Sequence, residues 1–234
     1  MTTAPTRPWH RRLPGWLELI VIVLLAVAVA ALTKAFLVQS FFVPSGSMKP
    51  LLHGNEMTHE DDRIVVEKVS YWNGDIHRGD VVVFDDSLHW LPASAVEAAS
   101  GPVQQALEKV GMWPTGGHLV KRVIGLPGDN VACCDDEGRV TVNDVPLDED
   151  DYLAQPGQPA STPFDVTVPD DALWMMGDNR GNSDDSRAHA HDKSGGFVPV
   201  DDVVGKVLAI VWPLDRAGLL DRPDTFDNEA LDGG

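Results

Sequence analysis

Cysteine, basic residues beyond the N-terminus, repeats and ligand-binding signatures are what this 234-residue chain is short of. Its two cysteines, Cys133 and Cys134, are adjacent. They lack the spacing of a metal knuckle, and neighbouring residues bridge only through a strained ring. No disulfide framework is expected, and a pair of thiols is the default. Basic residues number 18 against 36 acidic ones, a formal net charge of -18. The deficit is uneven: residues 1–39 carry Arg7, Arg11, Arg12 and Lys34 against Glu18, so the remainder holds 14 basic and 35 acidic side chains. Such a surface excludes nucleic acid or anionic lipid as a natural partner of the main domain. No internal repeat is visible. No phosphate-cradling loop appears either, because the glycines of 177–181 do not sit between a strand and a helix. The nearest approach to a metal site, His189-Ala190-His191-Asp192, reads better as a solvated loop. No metal and no organic cofactor is expected.

What is present begins with a basic, proline-containing start, residues 1–15, expected as a cytoplasmic tail. Residues 16–38 follow as a mostly apolar segment, free of charge from Leu19 to Leu32. Fourteen helical residues reach only about 21 Å, short of the roughly 30 Å hydrocarbon core. A helix from Trp16 to Leu37 reaches about 33 Å, with Lys34 able to snorkel and Trp16 at the interface. A cleaved signal peptide would share the basic start and apolar core. The apolar character, however, runs on through Ala35-Phe36-Leu37-Val38 without a polar region ending in a small-residue site. The segment therefore reads as an uncleaved transmembrane anchor. Three arginines precede it, which puts the N-terminus in the cytoplasm and residues 39–234 outside.

The rest reads as β-structure. Arg63 to Val69 is rich in β-branched residues, and Asp80 to Phe84 is a short buried run. Residues 88–118 interrupt the pattern as a surface insertion, with helical spacing from Ala95 to Val110. In the stretch from His118 to Asp129, alternation puts Leu119, Lys121 and Val123 on one face and Val120, Arg122 and Ile124 on the other. A Pro-Gly-Asp turn follows. Short strands at 139–142 and 164–168, among many turn residues, suggest a small β-subdomain over 130–172. Leu173 to Met176 leads into a dense polar loop, Gly177 to Arg187, and Val203 to Val211 forms a last strand. The tail from Asp215 is polar and expected to be loose.

Two stretches carry chemistry. Pro44-Ser45-Gly46-Ser47-Met48-Lys49-Pro50 leaves the end of the apolar run with two hydroxyls around a glycine. Judged alone it is a turn, since a serine without an activating partner is a poor nucleophile. Lys121 is the economical base. A lysine can take a serine proton only when its pKa falls toward neutrality, which needs desolvation or neighbouring positive charge. A strand position among apolar side chains, beside Arg122, offers both. An exposed strand-edge lysine is the competing reading.

Pro44 to Pro50, Gly79 to Phe84, Lys121 to Asp129, and Gly177-Asp178-Asn179-Arg180 through Ser183, Asp185, Ser186 and Arg187 resemble four successive conserved boxes of the bacterial type I signal peptidases. They stand in the family's order, just after an N-terminal anchor. The resemblance implies a mostly β fold: an antiparallel-sheet catalytic domain with a small β-subdomain insertion, preceded by one transmembrane helix. It implies a serine endopeptidase that removes signal peptides from exported preproteins after small residues, of the alanine-x-alanine type, through an acyl-enzyme. By motif position Ser47 would be the nucleophile and Lys121 the general base. The Ser45 hydroxyl and the Ser47 backbone N–H would form the oxyanion hole. Ser183 would hydrogen-bond and orient the Lys121 amine, and Asp185 and Arg187 would form a supporting ion pair. Asp178, Asn179 and Arg180 would shape the loop. The implied partners are preproteins, the lipid bilayer through residues 16–38, and neighbouring secretion machinery. The chain departs from the family's pattern where Leu51-Leu52 follows Pro50, in a longer link over 53–62, and in the length of 88–118. His189 and His191 match no family role. Two other readings stay open: a different, self-processing serine/lysine protease, or a non-enzymatic anchored β-domain that binds an envelope partner.

Overall fold

The structure is a computed structural model and describes residues 14–36, 38–54, 61–68, 76–91, 117–157 and 162–232. One helix, α1 (Gly15–Phe36), opens the described chain. Its apolar side chains face outward all round, Leu19, Val23, Leu25 and Val27 each being more than half exposed. Among the described residues no helix is long and apolar enough to cross a membrane; the side chains of residues 28 and 30–36 lie outside that set. The helix ends sooner than the apolar run does. Val38 already pairs with Glu67 as the first residue of a strand, so it belongs to the sheet and not to the helical segment.

The larger sheet has eight strands: β1 (Val38–Phe42), β2 (Arg63–Glu67), β3 (Val81–Asp85), β4 (His118–Gly125), β9 (Ala172–Met176), β10 (Val198–Pro199), β11 (Val203–Trp212) and β12 (Gly218–Leu219). The order is β1-β2-β11-β3-β4-β9-β10, with β12 on β11, and every pairing is antiparallel. The late strand β11 thus separates the two early strands β2 and β3. Continuous burial along β3 and most of β4 explains why these read as apolar runs and not as clean alternation. A second sheet, β7-β6-β5-β8, is built from β5 (Asn130–Cys133), β6 (Val140–Val142), β7 (Val145–Pro146) and β8 (Phe164–Thr167).

Three apolar clusters fill the interior. One lies under β1, β2 and β11, with Phe41, Met48, Leu52, Ile64 and Val207. A second follows β3 and β9, with Phe84, Trp90 and Met175. The third joins the two sheets through Ile124, Val142, Trp174 and Met176.

The same third cluster holds Phe226 and Leu231, and this corrects the expectation of a loose tail. Both side chains are buried, Asn143 Nδ2 donates to the Leu231 carbonyl at 2.7 Å, and Arg78 pairs with Asp232 at 2.7 Å. Two apolar side chains in a polar tail supply enough burial to hold it. The pair of thiols is also corrected, for Cys133 and Cys134 are joined as a disulfide. The helix expected from Ala95 to Val110, most of the 88–118 insertion and part of the 53–62 link lie outside the described residues.

Candidate active site

Residues 43–54 leave β1 and turn back toward β2. Within them a single 3₁₀ turn, Gly46–Met48, carries Ser47. The turn is seated by the burial of Met48 and Leu52 in the cluster under β1 and β2. Gly54 is required beneath it, because a Cβ there would stand 2.3 Å from the Val43 carbonyl oxygen and 2.4 Å from the Ser45 nitrogen. Lys121 comes from the middle of β4, where it pairs with Val82 of β3. Strand and turn bring together two residues 74 apart in sequence: Lys121 Nζ and Ser47 Oγ are hydrogen-bonded at 2.9 Å. Nζ also donates to the Val120 carbonyl at 3.3 Å. Ser47 is 6% exposed and Lys121 2%.

That burial decides the electrostatics. Loss of water pushes the Lys121 pKa from an ordinary 10.5 down to about 8. The carboxylates of Asp185, Asp184 and Asp178 pull it back up, and the Arg187 cation adds to the lowering. The sequence reading credited Arg122 with part of this effect. Its side chain instead forms two bonds to Asp178, at 2.8 and 2.6 Å, and a third to the Gly79 carbonyl at 2.7 Å. Alternation along β4 sends residues 121 and 122 to opposite faces, so the neighbouring cation is spent on a carboxylate elsewhere.

The polar loop after β9 closes over the turn. Asn179 Nδ2 donates to the Gly46 carbonyl at 3.0 Å, and the Asn179 backbone N–H donates to the Ser47 carbonyl at 3.0 Å. Contact is close enough that Gly177 can carry no side chain: a Cβ would lie 2.6 Å from the Ser47 carbonyl oxygen and 2.3 Å from Ser183 Oγ. Asp185 and Arg187 form a two-bond ion pair at 2.9 and 2.8 Å, and Asp185 also accepts from the Gly177 N–H at 3.0 Å. Burial pushes the Asp185 carboxyl up, but Arg187 and the Gly177 N–H outweigh it and hold the pKa below the usual value. Arg187 further donates to the Arg180 carbonyl.

Other expected residues fall less neatly. Ser45 is exposed, and its hydroxyl lies 3.1 Å from Ser47 Oγ. Ser183 Oγ is buried without a hydrogen-bond partner among the described residues. The bond expected between Ser183 and the Lys121 amine is therefore not formed. The hydroxyl stands near enough to Asp185 to favour its ionised form, outside hydrogen-bonding geometry. His189 stacks on Trp90 with ring centroids 4.4 Å apart, its Nδ1 2.7 Å from Asp192 and its Nε2 3.1 Å from Asp184.

Two residues of the support were missed. Glu149 takes Arg180 in a two-bond pair at 2.9 and 2.5 Å and accepts from the Tyr152 hydroxyl. The Arg122 guanidinium lies 4.5 Å from the Tyr152 ring centre. In the sequence Glu149 sits inside the acidic run 148–151, which reads as a solvated turn; a lone tyrosine after it was the only available signal.

A buried serine held against a lysine with a lowered pKa, on a β-sheet frame, is an arrangement that can supply a nucleophile and its base. The model of the family described as "Signal peptidase, peptidase S26" matches residues 16–212. The chain belongs to that family. Signal peptidase I of Mycobacterium tuberculosis is 38% identical over 221 residues, covering 87% of this chain and 74% of that one. The probable signal peptidase I of Mycobacterium leprae is 35% identical over 229 residues, covering 86% and 78%. The probable signal peptidase I-2 of Synechocystis sp. is 36% identical over 217 residues, covering 93% and 82%. A solved signal peptidase I from Enterococcus faecalis V583 is 24% identical, with a TM-score of 0.36 and coverage of 56% of this chain and 96% of that one.

Proposed function

We propose that the chain is a membrane-anchored endopeptidase that cleaves N-terminal signal peptides from exported preproteins after small residues, using Ser47 and Lys121 as a catalytic dyad. The observation that carries the reading is the 2.9 Å contact between Ser47 Oγ and a buried Lys121 Nζ whose pKa is about 8. At pH 7 such a lysine is neutral in about one molecule in ten. The neutral amine accepts the Ser47 proton as Oγ bonds to the scissile carbonyl carbon. The oxygen of that carbonyl becomes an oxyanion, and the Ser47 N–H and the Ser45 hydroxyl are the donors nearest to receive it. The Lys121 ammonium then gives its proton to the leaving amine, which departs as the new N-terminus of the mature protein. Lys121, neutral again, takes a proton from water as the hydroxide attacks the Ser47 ester. The Lys121 ammonium returns that proton to Ser47 Oγ as the ester C–O bond breaks, and the acid product leaves. The Asp185–Arg187 pair and Asp178, Asn179 and Arg180 act by holding the loop against the nucleophile turn.

The helix α1 is the proposed anchor. Counted over all 22 residues the helix extends about 33 Å, against a hydrocarbon core of roughly 30 Å, and its described side chains from Leu19 to Val27 are exposed and apolar. Arg7, Arg11 and Arg12 favour a cytoplasmic N-terminus, which places the sheets and their substrates outside. Only one residue separates α1 from β1, so the anchor leads directly into the strand that precedes Ser47. The domain division into tail, anchor and extracytoplasmic peptidase rests on the same points. A small second sheet over 130–172 is inserted within the peptidase domain.

The decisive experiment is cleavage of a preprotein with an alanine-x-alanine site by the detergent-purified full chain. Ser47→Ala and Lys121→Met are expected to abolish it, and near-normal turnover by either variant would sink the dyad. A periplasm-dependent reporter fused to the C-terminus should be active; a reporter active only in the cytoplasm would overturn the orientation.

A further inference from the structure

We infer that Asn179 is the positioning residue that aims the Ser47 N–H at the oxyanion. This deepens the proposed dyad reading and rests on it.

The argument starts from one amide. The Gly46 carbonyl and the Ser47 N–H belong to the same peptide unit, which is planar and trans. They point in opposite directions, so whatever fixes the carbonyl fixes the N–H. Asn179 Nδ2 donates to that carbonyl at 3.0 Å. The Asn179 backbone N–H donates to the next carbonyl, that of Ser47, also at 3.0 Å. One residue therefore clamps the carbonyls on both sides of the nucleophile. The second acceptor site on the Gly46 oxygen is taken by the Lys49 N–H at 3.3 Å.

The turn itself leaves the Ser47 N–H available. It lies in the first turn of a single 3₁₀ segment, where no intrahelical carbonyl receives it. Among the described residues, the bonds to the Gly46 carbonyl across the peptide plane are what restrain its direction. Donation to the Gly46 oxygen also polarises the amide and makes its N–H a stronger donor. An oxyanion donor is useful only when it is already aimed at where charge develops. Gly177 keeps the arrangement possible, since any side chain there would push the Asn179 segment off the Ser47 carbonyl.

The test uses the full chain in detergent and a peptide aldehyde ending in the alanine-x-alanine sequence. Its aldehyde carbon adds to Ser47 Oγ, and the resulting hemiacetal oxygen occupies the oxyanion position. Asn179→Ala and Asn179→Asp should lower kcat on the order of tenfold or more while KM stays within about twofold, as expected when an interaction is made only in the transition state. Aldehyde affinity should fall by the same factor as kcat/KM. Asn179→Asp keeps the volume and the backbone bond but loses the donor, so it separates aiming from packing. Unchanged kcat, or a loss confined to KM, would overturn the inference.

A measurement on the unmodified enzyme guards against variants that do not fold. Gly46-Ser47 is the only Gly-Ser step in the chain. Carbonyl-13C glycine with 15N serine therefore gives one amide signal, that of Ser47. The signal should move downfield when the aldehyde binds, and no movement would overturn the inference. Ser47→Ala separates the two levels. If it retains activity the dyad itself fails. If it is inactive while the Asn179 variants are normal, only the positioning role fails.

Discussion

Among the described residues four cations are buried, and they differ in what they face. Arg122, Arg180 and Arg187 each make two bonds to one carboxylate, of Asp178, Glu149 and Asp185 respectively. Lys121, only 2% exposed, faces a hydroxyl and a backbone carbonyl. Burial works against the charge in every case. For Arg122 and Arg180 the partner carboxylate more than restores it, and their pKa values are raised. For Lys121 nothing in contact does so, and the pKa falls. The same low dielectric thus leaves Arg122 and Arg180 held as charges by their partners and Lys121 free to give up its proton. Structure and chemistry are divided by pairing, not by depth.

The comparison breaks at its centre if Lys121 is not a base. Lys121→Met and Ser47→Ala should each reduce single-turnover cleavage of a preprotein by on the order of 10³-fold or more, as for members of other nucleophile–base units. Next in size is the cost of unpairing. Arg122→Met strands the Asp178 carboxylate, and chemical denaturation should show a loss of about 3–5 kcal/mol. Lys121→Met strands nothing and should leave the protein at least as stable; equal losses in the two variants would abolish the distinction drawn above.

pH gives a third test. The folded pKa of Lys121, about 8, lies below its ordinary 10.5. Between those values the unfolded chain binds a proton that the folded chain has shed, so stability rises with pH across that window. The gain relative to Lys121→Met should total about 3 kcal/mol, be complete above the upper value, and be lost as pH falls through about 8. Activity should follow the neutral amine, falling about tenfold per pH unit below 8 and levelling off above it. A flat profile between pH 6 and 8 would contradict a lysine base. The smallest effect belongs to an exposed pair: Arg139 and Asp135 are bonded at 2.8 Å on the surface, and Arg139→Ala should leave the denaturation midpoint almost unchanged.

How far the sequence discloses this arrangement depends on the range of each interaction. Ser47 and Lys121 stand in local patterns, a small-residue turn and an alternating strand, but each pattern leaves a bland reading open and only the family resemblance joins the two. That Lys121 would sit among apolar groups also followed from alternation. The partner of Arg122 did not, because Asp178 is 56 residues away and only the sheet order β4-β9 brings it near. Glu149 looked like one solvent-facing acid among several, and only the fold singles it out. The tail was misread for a related reason: Phe226 and Leu231 are too few to form a pattern, yet they complete a core begun a hundred residues earlier. Strands of two residues, such as β10 and β12, exist only by pairing and leave no trace of their own.

The place of β11 has a consequence in time. The turn that bears Ser47 follows β1, and Lys121 lies on β4, but the sheet runs from β2 to β3 only through residues 203–212. Chain synthesis delivers Ser47 and Lys121 early and the strand that ties their halves together late. Until β11 is made, no continuous backbone ladder holds them in register. A nascent chain that has not yet reached residue 203 therefore carries both side chains without the strand that ties their halves together.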